Sequence, residues 1–160
     1  MRIVIQRVKQ ASVTVWDENM PQDSEKAGRI VGQIAAGLCV LVGVTHEDGV
    51  EQIEKIARKI CELKLLRDVN HEDIPANRRS VVDAAAEVLL VSQFTLYADV
   101  KKGKKPSWSH AAPGELARPI FDQLVAAIRA RGVKVETGEF GAMMDVQLIN
   151  DGPFTILFEC

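Results

Sequence analysis

The chain has 160 residues, of which 47% are hydrophobic, with a formal net charge of −2 and a pI of about 5.9. That length suits one domain, and that apolar share builds a core without disulfide or metal staples. The near-balanced charge excludes a whole-molecule attraction for nucleic acid, so any such contact has to come from a local patch.

In chain order, residues 3–8 are β-branched and predict a strand, and Ser12-Val13-Thr14-Val15 alternates polar and apolar as a half-buried second one. Residues 16–28 are polar and acidic with Pro21, a loop. Residues 29–34 return as a strand, and 38–44 are apolar on both faces, a central buried strand. A helix opens at Asp48-Gly49, with Ile53, Ile56, Ala57, Ile60 and Cys61 on one face and the pairs Glu51/Lys55 and Glu54/Arg58 on the other. Residues 67–80 contain Pro75 and predict a loop; 87–96 predict another central strand that turns polar at its end. Residues 97–114 are irregular and basic, with Lys101, Lys102, Lys104 and Lys105 around Gly103. A second helix runs from about 113 to 131, with Leu116, Ile120, Phe121, Leu124, Val125 and Ile128 as its stripe and Gly132 as its stop. A short strand over 133–135 precedes two apolar alternating runs, 144–149 and 154–158. The expected architecture is α+β: a single compact domain over 1–160, mostly antiparallel and barrel-like, with about seven strands and two main helices.

The two final runs flank Asn150-Asp151-Gly152-Pro153-Phe154-Thr155. By its chemistry this is a turn, since Asn and Asp favour turn geometry, Gly permits unusual φ and Pro fixes φ. Two readings stand: a hairpin turn, or a Gly152-Pro153 bond held in one isomer by a rigid sheet. The second distinctive stretch is Ser92-Gln93-Phe94-Thr95, a hydroxyl-amide-aromatic-hydroxyl group ending a buried strand. Either it faces solvent harmlessly, or its N–H groups and the Thr95 hydroxyl meet a reacting carbonyl.

Standard chemistries are missing. No G-x-S-x-G elbow, P-loop, H-E-x-x-H or G-x-G-x-x-G occurs, and His46, His71 and His110 show no ligand spacing. Cys39, Cys61 and Cys160 form no C-x-x-C pair, which argues for a reducing compartment and against structural zinc; no metal or cofactor is expected. The opening residues are too polar for a signal peptide and no run reaches the ~18 apolar residues of a membrane span, so a soluble cytoplasmic protein is expected.

Taken together, Ser92-Gln93-Phe94-Thr95-Leu96 and Asn150-Asp151-Gly152-Pro153-Phe154-Thr155 resemble the motif pair of the D-aminoacyl-tRNA deacylases. The resemblance extends along the chain, through Gln6-Arg7-Val8, Ala11-Ser12-Val13-Thr14-Val15, Lys105-Pro106-Ser107-Trp108 and Phe140-Gly141-Ala142-Met143-Met144. Two features depart from it. Phe154 stands where the family usually has Val, and residues 70–80 do not match the usual loop containing Lys-Met-Asn, which puts in doubt any contact made by that loop.

The resemblance implies a homodimer that hydrolyses the ester of D-aminoacyl-tRNA, and of glycyl-tRNA in part. It implies a cis Gly152-Pro153 element that reaches into the partner's site and rejects L side chains with its backbone carbonyls. Catalysis is then attributed to the 2′-hydroxyl of the terminal adenosine with backbone donors at Ser92, Gln93, Phe94 and Thr95. Thr95 is either nucleophile or positioner; Phe94 packs against the adenosine; Arg7, Met144 and Asn150 line the substrate pocket. The four lysines are candidate phosphate contacts. Two alternatives stay open: a small-molecule esterase or amidase with Thr95 as nucleophile, and a tRNA-binding module without catalysis.

Overall fold

The computed structural model describes residues 1–16, 28–101 and 103–160. Six strands and two helices follow the order β1 (Arg2–Val15), β2 (Arg29–Ile34), β3 (Gly37–Gly43), α1 (Val50–Glu62), β4 (Glu87–Ser92), α2 (Gly114–Arg129), β5 (Lys134–Thr137) and β6 (Met144–Glu159). They form one six-stranded mixed sheet, ordered β2-β1-β3-β4-β5, with β6 on the other side of β1. The three pairings of β1 are antiparallel; β3/β4 and β4/β5 are parallel. A Cβ on Gly32 of β2 would run into the Thr137 carbonyl of β5, so glycine there lets the two ends of the sheet approach and nearly close a barrel.

The expected α+β domain is present, but two pairs of expected strands are single strands. Residues 3–8 and 12–15 belong to one β1, interrupted by a bulge at Lys9: Val8 pairs with Asn150 and Gln10 with Ile149. The extra residue reverses which parity faces which side. Ile3 and Ile5 pack under the helices and Val8 faces the opposite core by ordinary alternation; past the bulge, Ala11 and Val13 join Val8 there, with Ile34, Cys39, Leu89 and Val91. The first core takes the apolar stripes of both helices, including Ile56, Ile60, Leu124 and Ile128, all fully buried. Truncating any of these to Ala would cost about 2–5 kcal/mol. Leu116, expected in the α2 stripe, is 41% exposed instead.

The hairpin reading of Asn150–Thr155 is overturned. Residues on both sides of Gly152-Pro153 pair with the same strand, β1, so β6 does not reverse direction. Gln6 pairs with Thr155 and Val8 with Asn150, which leaves Asp151, Gly152, Pro153 and Phe154 bulged opposite Arg7 alone. The Gly152-Pro153 bond is cis. No helix among the described residues is long and apolar enough to cross a membrane.

Candidate active site and the Gly152-Pro153 bulge

β4 stops at Ser92 because its partner β3 ends at Gly43 and leaves no ladder to extend. The Gln93 N–H makes a last bond to the Val42 carbonyl at 2.7 Å, and the chain curls into a 3-10 turn over Phe94–Tyr97. The expected strand over 87–96 is thus shorter, and Ser92-Gln93-Phe94-Thr95 straddles a strand end and a tight turn. The Leu96 N–H closes on the Gln93 carbonyl (3.2 Å) and the Ala98 N–H on the Thr95 carbonyl (3.0 Å). The Gln93 Nε2 donates to the Thr95 hydroxyl oxygen, which fixes both side chains. Tyr97, buried at the end of the turn, has its hydroxyl pushed up to about 12 by desolvation and stays neutral.

This turn forms one wall of a cavity of about 720 Å³. Ser92, Gln93, Phe94 and Thr95 line it with Trp108, the start of α2, residues 140–143, Met144 and Val146. Phe94 is 55% exposed and meets Trp108 edge-on, with ring centroids 5.9 Å apart. Among the described residues, no acidic, basic or histidine side chain lines it. What the wall offers is hydroxyls, an amide, aromatic surface and backbone. The first N–H groups of a helical turn have no partner within it.

The basic loop leads into the cavity wall at Trp108. Asp99 and Ser107 exchange backbone bonds of 2.7 and 3.0 Å, which close the base of the excursion between them, and Trp108 continues into the contact with Phe94. Lys101, Lys104 and Lys105 are exposed and make no salt bridge among the described residues. Lys102 lies outside the described residues.

The bulge on β6 is built differently. Arg7, only 1% exposed, hydrogen-bonds four groups, and its Nε also lies 3.2 Å from the Asp151 carboxylate. Nε donates to the Asp151 carbonyl (2.9 Å), Nη2 to the Gly152 carbonyl (2.8 Å), Nη1 to the Leu65 carbonyl (2.8 Å), and both Nη atoms reach the Asp73 carboxylate (3.3 and 2.9 Å). Arg67 takes both oxygens of Asp151 at 2.9 and 2.8 Å. Asp73 also accepts from Arg78 Nε at 2.7 Å. Hydrogen bonds from Arg7 and Arg78 hold the Asp73 carboxyl far below the ordinary carboxylate range, and Arg67, then the charge of Arg7, lower Asp151. Phe154 lies under two guanidinium groups, with Arg7 Cζ 4.7 Å and Arg78 Cζ 4.5 Å from its ring centroid. A second cavity, of about 680 Å³, lies behind this network; its wall mixes Lys9, Arg67 and Arg79 with Asp68 and Glu87, and it includes none of Ser92–Thr95.

Of the expected site residues, Ser92, Gln93, Phe94, Thr95 and Met144 share one cavity. Arg7 and Gly152 meet elsewhere, in the bulge, and neither they nor Pro153 line that cavity. Arg7 is thus not a lining residue of the Ser92–Thr95 cavity but a brace of the bulge. Asn150, exposed on β6, does not line the cavity; it pairs with Val8 at the edge of the bulge, with its side-chain Nδ2 beside Gly152. The loop over 70–80, whose contacts the sequence left in doubt, does reach the bulge, through Asp73 and Arg78. Asp73, Arg78 and Arg67 carry no motif in the sequence, and Asp151 reads there only as a turn residue.

Comparison with known proteins agrees over the whole chain. The family model described as D-Tyr-tRNA(Tyr) deacylase matches residues 4–159. The chain is 49% identical to a D-aminoacyl-tRNA deacylase of Kineococcus radiotolerans and 51% identical to one of Beutenbergia cavernae, each over 160 residues and 99% of both chains. Among solved structures, one titled "c-Myc DNA Unwinding Element Binding Protein" is 36% identical with a TM-score of 0.83, covering 100% of this chain and 99% of its own. Another, a probable eukaryotic D-amino acid tRNA deacylase, shares the fold with a TM-score of 0.78 at 18% identity, covering 98% of this chain and 97% of its own. With that match along its length, and with the two motifs that first suggested it, the chain belongs to the D-Tyr-tRNA(Tyr) deacylase family and is an enzyme of that class.

Proposed function

We propose that the protein hydrolyses the ester joining a D-amino acid to the terminal ribose of tRNA, releasing both, and that it works as a cytoplasmic homodimer. The observation that carries this is the cavity beside Ser92–Thr95, large enough for an aminoacyl nucleoside yet lined, among the described residues, by no acidic, basic or histidine side chain. An activated ester needs little help beyond a held carbonyl and a positioned water. Backbone N–H groups at the start of the Phe94–Tyr97 turn polarise the carbonyl, and the 2′-hydroxyl of the substrate assists the water. The acyl C–O bond breaks and the ribose hydroxyl leaves. Thr95, tied to Gln93, positions rather than attacks. Phe94, exposed against Trp108, gives the adenine a surface to stack on. Lys101, Lys102, Lys104 and Lys105 contact tRNA phosphates.

Chiral selection falls to the bulge. In the dimer, Gly152-Pro153 of one protomer closes the cavity of its partner, which explains why these residues lie apart from Ser92–Thr95 within one chain. A backbone wall has no rotamers with which to yield, so an L side chain collides with it and a D side chain points away. Glycine carries nothing to reject, and glycyl-tRNA is hydrolysed in part.

The test is ester loss from matched D-tyrosyl-, L-tyrosyl- and glycyl-tRNA, with Thr95→Ala alongside and sedimentation of the free protein. The expected result is a dimer that clears the D ester rapidly, the glycyl ester more slowly and the L ester hardly at all, with Thr95→Ala still active. Equal attack on both tyrosyl esters, abolished in Thr95→Ala, would favour a small-molecule esterase. Bound tRNA with every ester intact would leave a binding module.

A further inference from the structure

We propose that Asp73 and Arg78, with Phe154, form a clasp that sets how strictly this enzyme discriminates D from L substrates. These are positioning residues: they act through Arg7 and the bulge backbone. The inference rests on the reading of Gly152-Pro153 as the chiral wall.

The geometry begins with Arg7. Its donors to the Asp151 and Gly152 carbonyls fix the bulge, but a buried guanidinium needs a counter-charge to stay where it is. Asp73 supplies it in a two-pronged contact at 2.9 and 3.3 Å, the fork geometry that orients a guanidinium as well as neutralising it. Arg78 then ties Asp73 from the other side at 2.7 Å and lays its own guanidinium over Phe154, the residue after Pro153. The bulge is thus gripped twice, by its carbonyls through Arg7 and by the Phe154 ring through Arg7 and Arg78.

The loop that carries the clasp is itself anchored. Leu66 and Arg79 exchange backbone bonds of 2.9 Å at its base, and the Asp68 carboxylate accepts from the N–H groups of Asn70 (2.9 Å) and Glu72 (2.8 Å). The two departures from the family pattern, Phe154 and the 70–80 loop, therefore meet in one contact. A bulkier, aromatic residue on the bulge is matched by an arginine on the loop.

Loosening such a clasp has a particular signature. A D side chain points away from the wall, so its hydrolysis is indifferent to a small displacement. An L side chain is excluded only by collision, and a wall that yields by a few tenths of an ångström admits it. Discrimination falls while D activity persists, a split that general destabilisation would not produce.

The experiment measures single-turnover hydrolysis of D- and L-tyrosyl-tRNA by wild type, Asp73→Asn, Arg78→Ala, Arg78→Lys and Phe154→Val, with urea midpoints for each. The expected result is an L-ester rate raised about tenfold in Asp73→Asn and Arg78→Ala while the D-ester rate stays within about threefold of wild type. Arg78→Lys keeps the charge but not the planar stack and recovers only part of the selectivity. Phe154→Val leaves every ion pair in place, so it carries the test should Asp73→Asn not fold. Folded variants that discriminate as wild type does, or that lose D and L activity equally, would overturn the clasp. A wild type that fails to discriminate would instead overturn the chiral-wall reading itself, and the clasp with it.

Discussion

The two ends of this site are made of opposite materials. Among the described residues, the cavity beside Ser92–Thr95 is lined by no acidic, basic or histidine side chain, only hydroxyls, an amide, apolar and aromatic side chains and backbone. Around Gly152 the chain packs Arg7, Arg67, Arg78, Asp73 and Asp151 into one network. On the proposed function, the contrast follows from what each end must do. A cavity that receives an already activated ester needs fixed donors and an apolar floor for the nucleoside. A wall that sorts by collision needs stiffness, and charge-assisted hydrogen bonds to backbone carbonyls hold a main chain in one place more firmly than apolar packing does. Charge serves position here, and neutrality serves chemistry.

The most severe way to break that division is to remove its hub. Arg7→Met leaves Asp73 and Asp151 without their shared buried partner and strips the Asp151 and Gly152 carbonyls of their donor. The expected loss is about 3–5 kcal/mol in urea unfolding, together with most of the activity. A stability near wild type would mean that Arg67 and Arg78 brace the bulge without it. A gentler change isolates the outer surface of the wall. In Gly152→Ala the new Cβ meets only Asn150 Nδ2, at 3.8 Å, so the fold accepts it. Hydrolysis of the D ester should still fall by about 10²-fold, because in the proposed dimer the added methyl stands in the partner's cavity. Unchanged D-ester turnover would show that Gly152 does not face substrate.

The lysine loop sharpens the other side of the comparison, since it is a concentrated charge that precedes Trp108 of the neutral cavity in the chain. Replacing Lys101, Lys104 and Lys105 by Ala should leave the urea midpoint alone, as none makes a salt bridge among the described residues. The cost should appear as weaker binding of tRNA and a shallower salt dependence, with log K against log salt losing about 0.7–0.9 per phosphate contact removed. A salt slope identical to wild type would assign the phosphate contacts elsewhere.

How far the sequence reveals this arrangement depends on the range over which each feature is written. Both helices are legible because Ile53, Ile56 and Ile60, or Ile120, Leu124 and Ile128, repeat at helical spacing within a few turns. The strand Arg29–Ile34 is legible as a short run with β-branched Ile30, Val31 and Ile34, set between Gly28 and Ala35-Ala36. The continuity of β1 is not, because one bulged residue at Lys9 shifts its apolar parity and imitates a break. The bulge on β6 is misread as a hairpin because Asn, Asp, Gly and Pro serve both. What separates them is that β1 pairs on either side, a contact more than 140 residues away in sequence. The motifs around Ser92 and Gly152 stand out as chemistry, but their own residues do not say that one chain keeps them apart; only the family resemblance implies that they work across two chains. Asp73 and Arg78 leave no local trace, since a long-range ion pair has no periodicity.

The subtlest expected difference between the two ends is in acid. Arg7 and Arg78 face Asp73, and Arg7 and Arg67 face Asp151; each carboxyl is held below its ordinary range by those partners. A carboxylate whose folded pKa is depressed stabilises the protein fully above its unfolded pKa, near 3.9, and loses that contribution as pH falls toward the folded value. The unfolded chain takes up its proton first, and the balance shifts toward it. Asp73→Asn has no such proton to bind. Its deficit against wild type should therefore be level above about pH 5 and narrow below about pH 4, read from urea midpoints across a pH series. Thr95→Ala provides the contrast from the neutral end. It breaks the bond from Gln93 in a cavity lined, among the described residues, by no acidic, basic or histidine side chain, so its deficit should not change with pH over the same range. If the Asp73→Asn deficit persisted undiminished in acid, the carboxylate would be contributing shape rather than charge. The bulge would then be held by packing on Phe154, and the division between a charged wall and a neutral cavity would lose its physical basis.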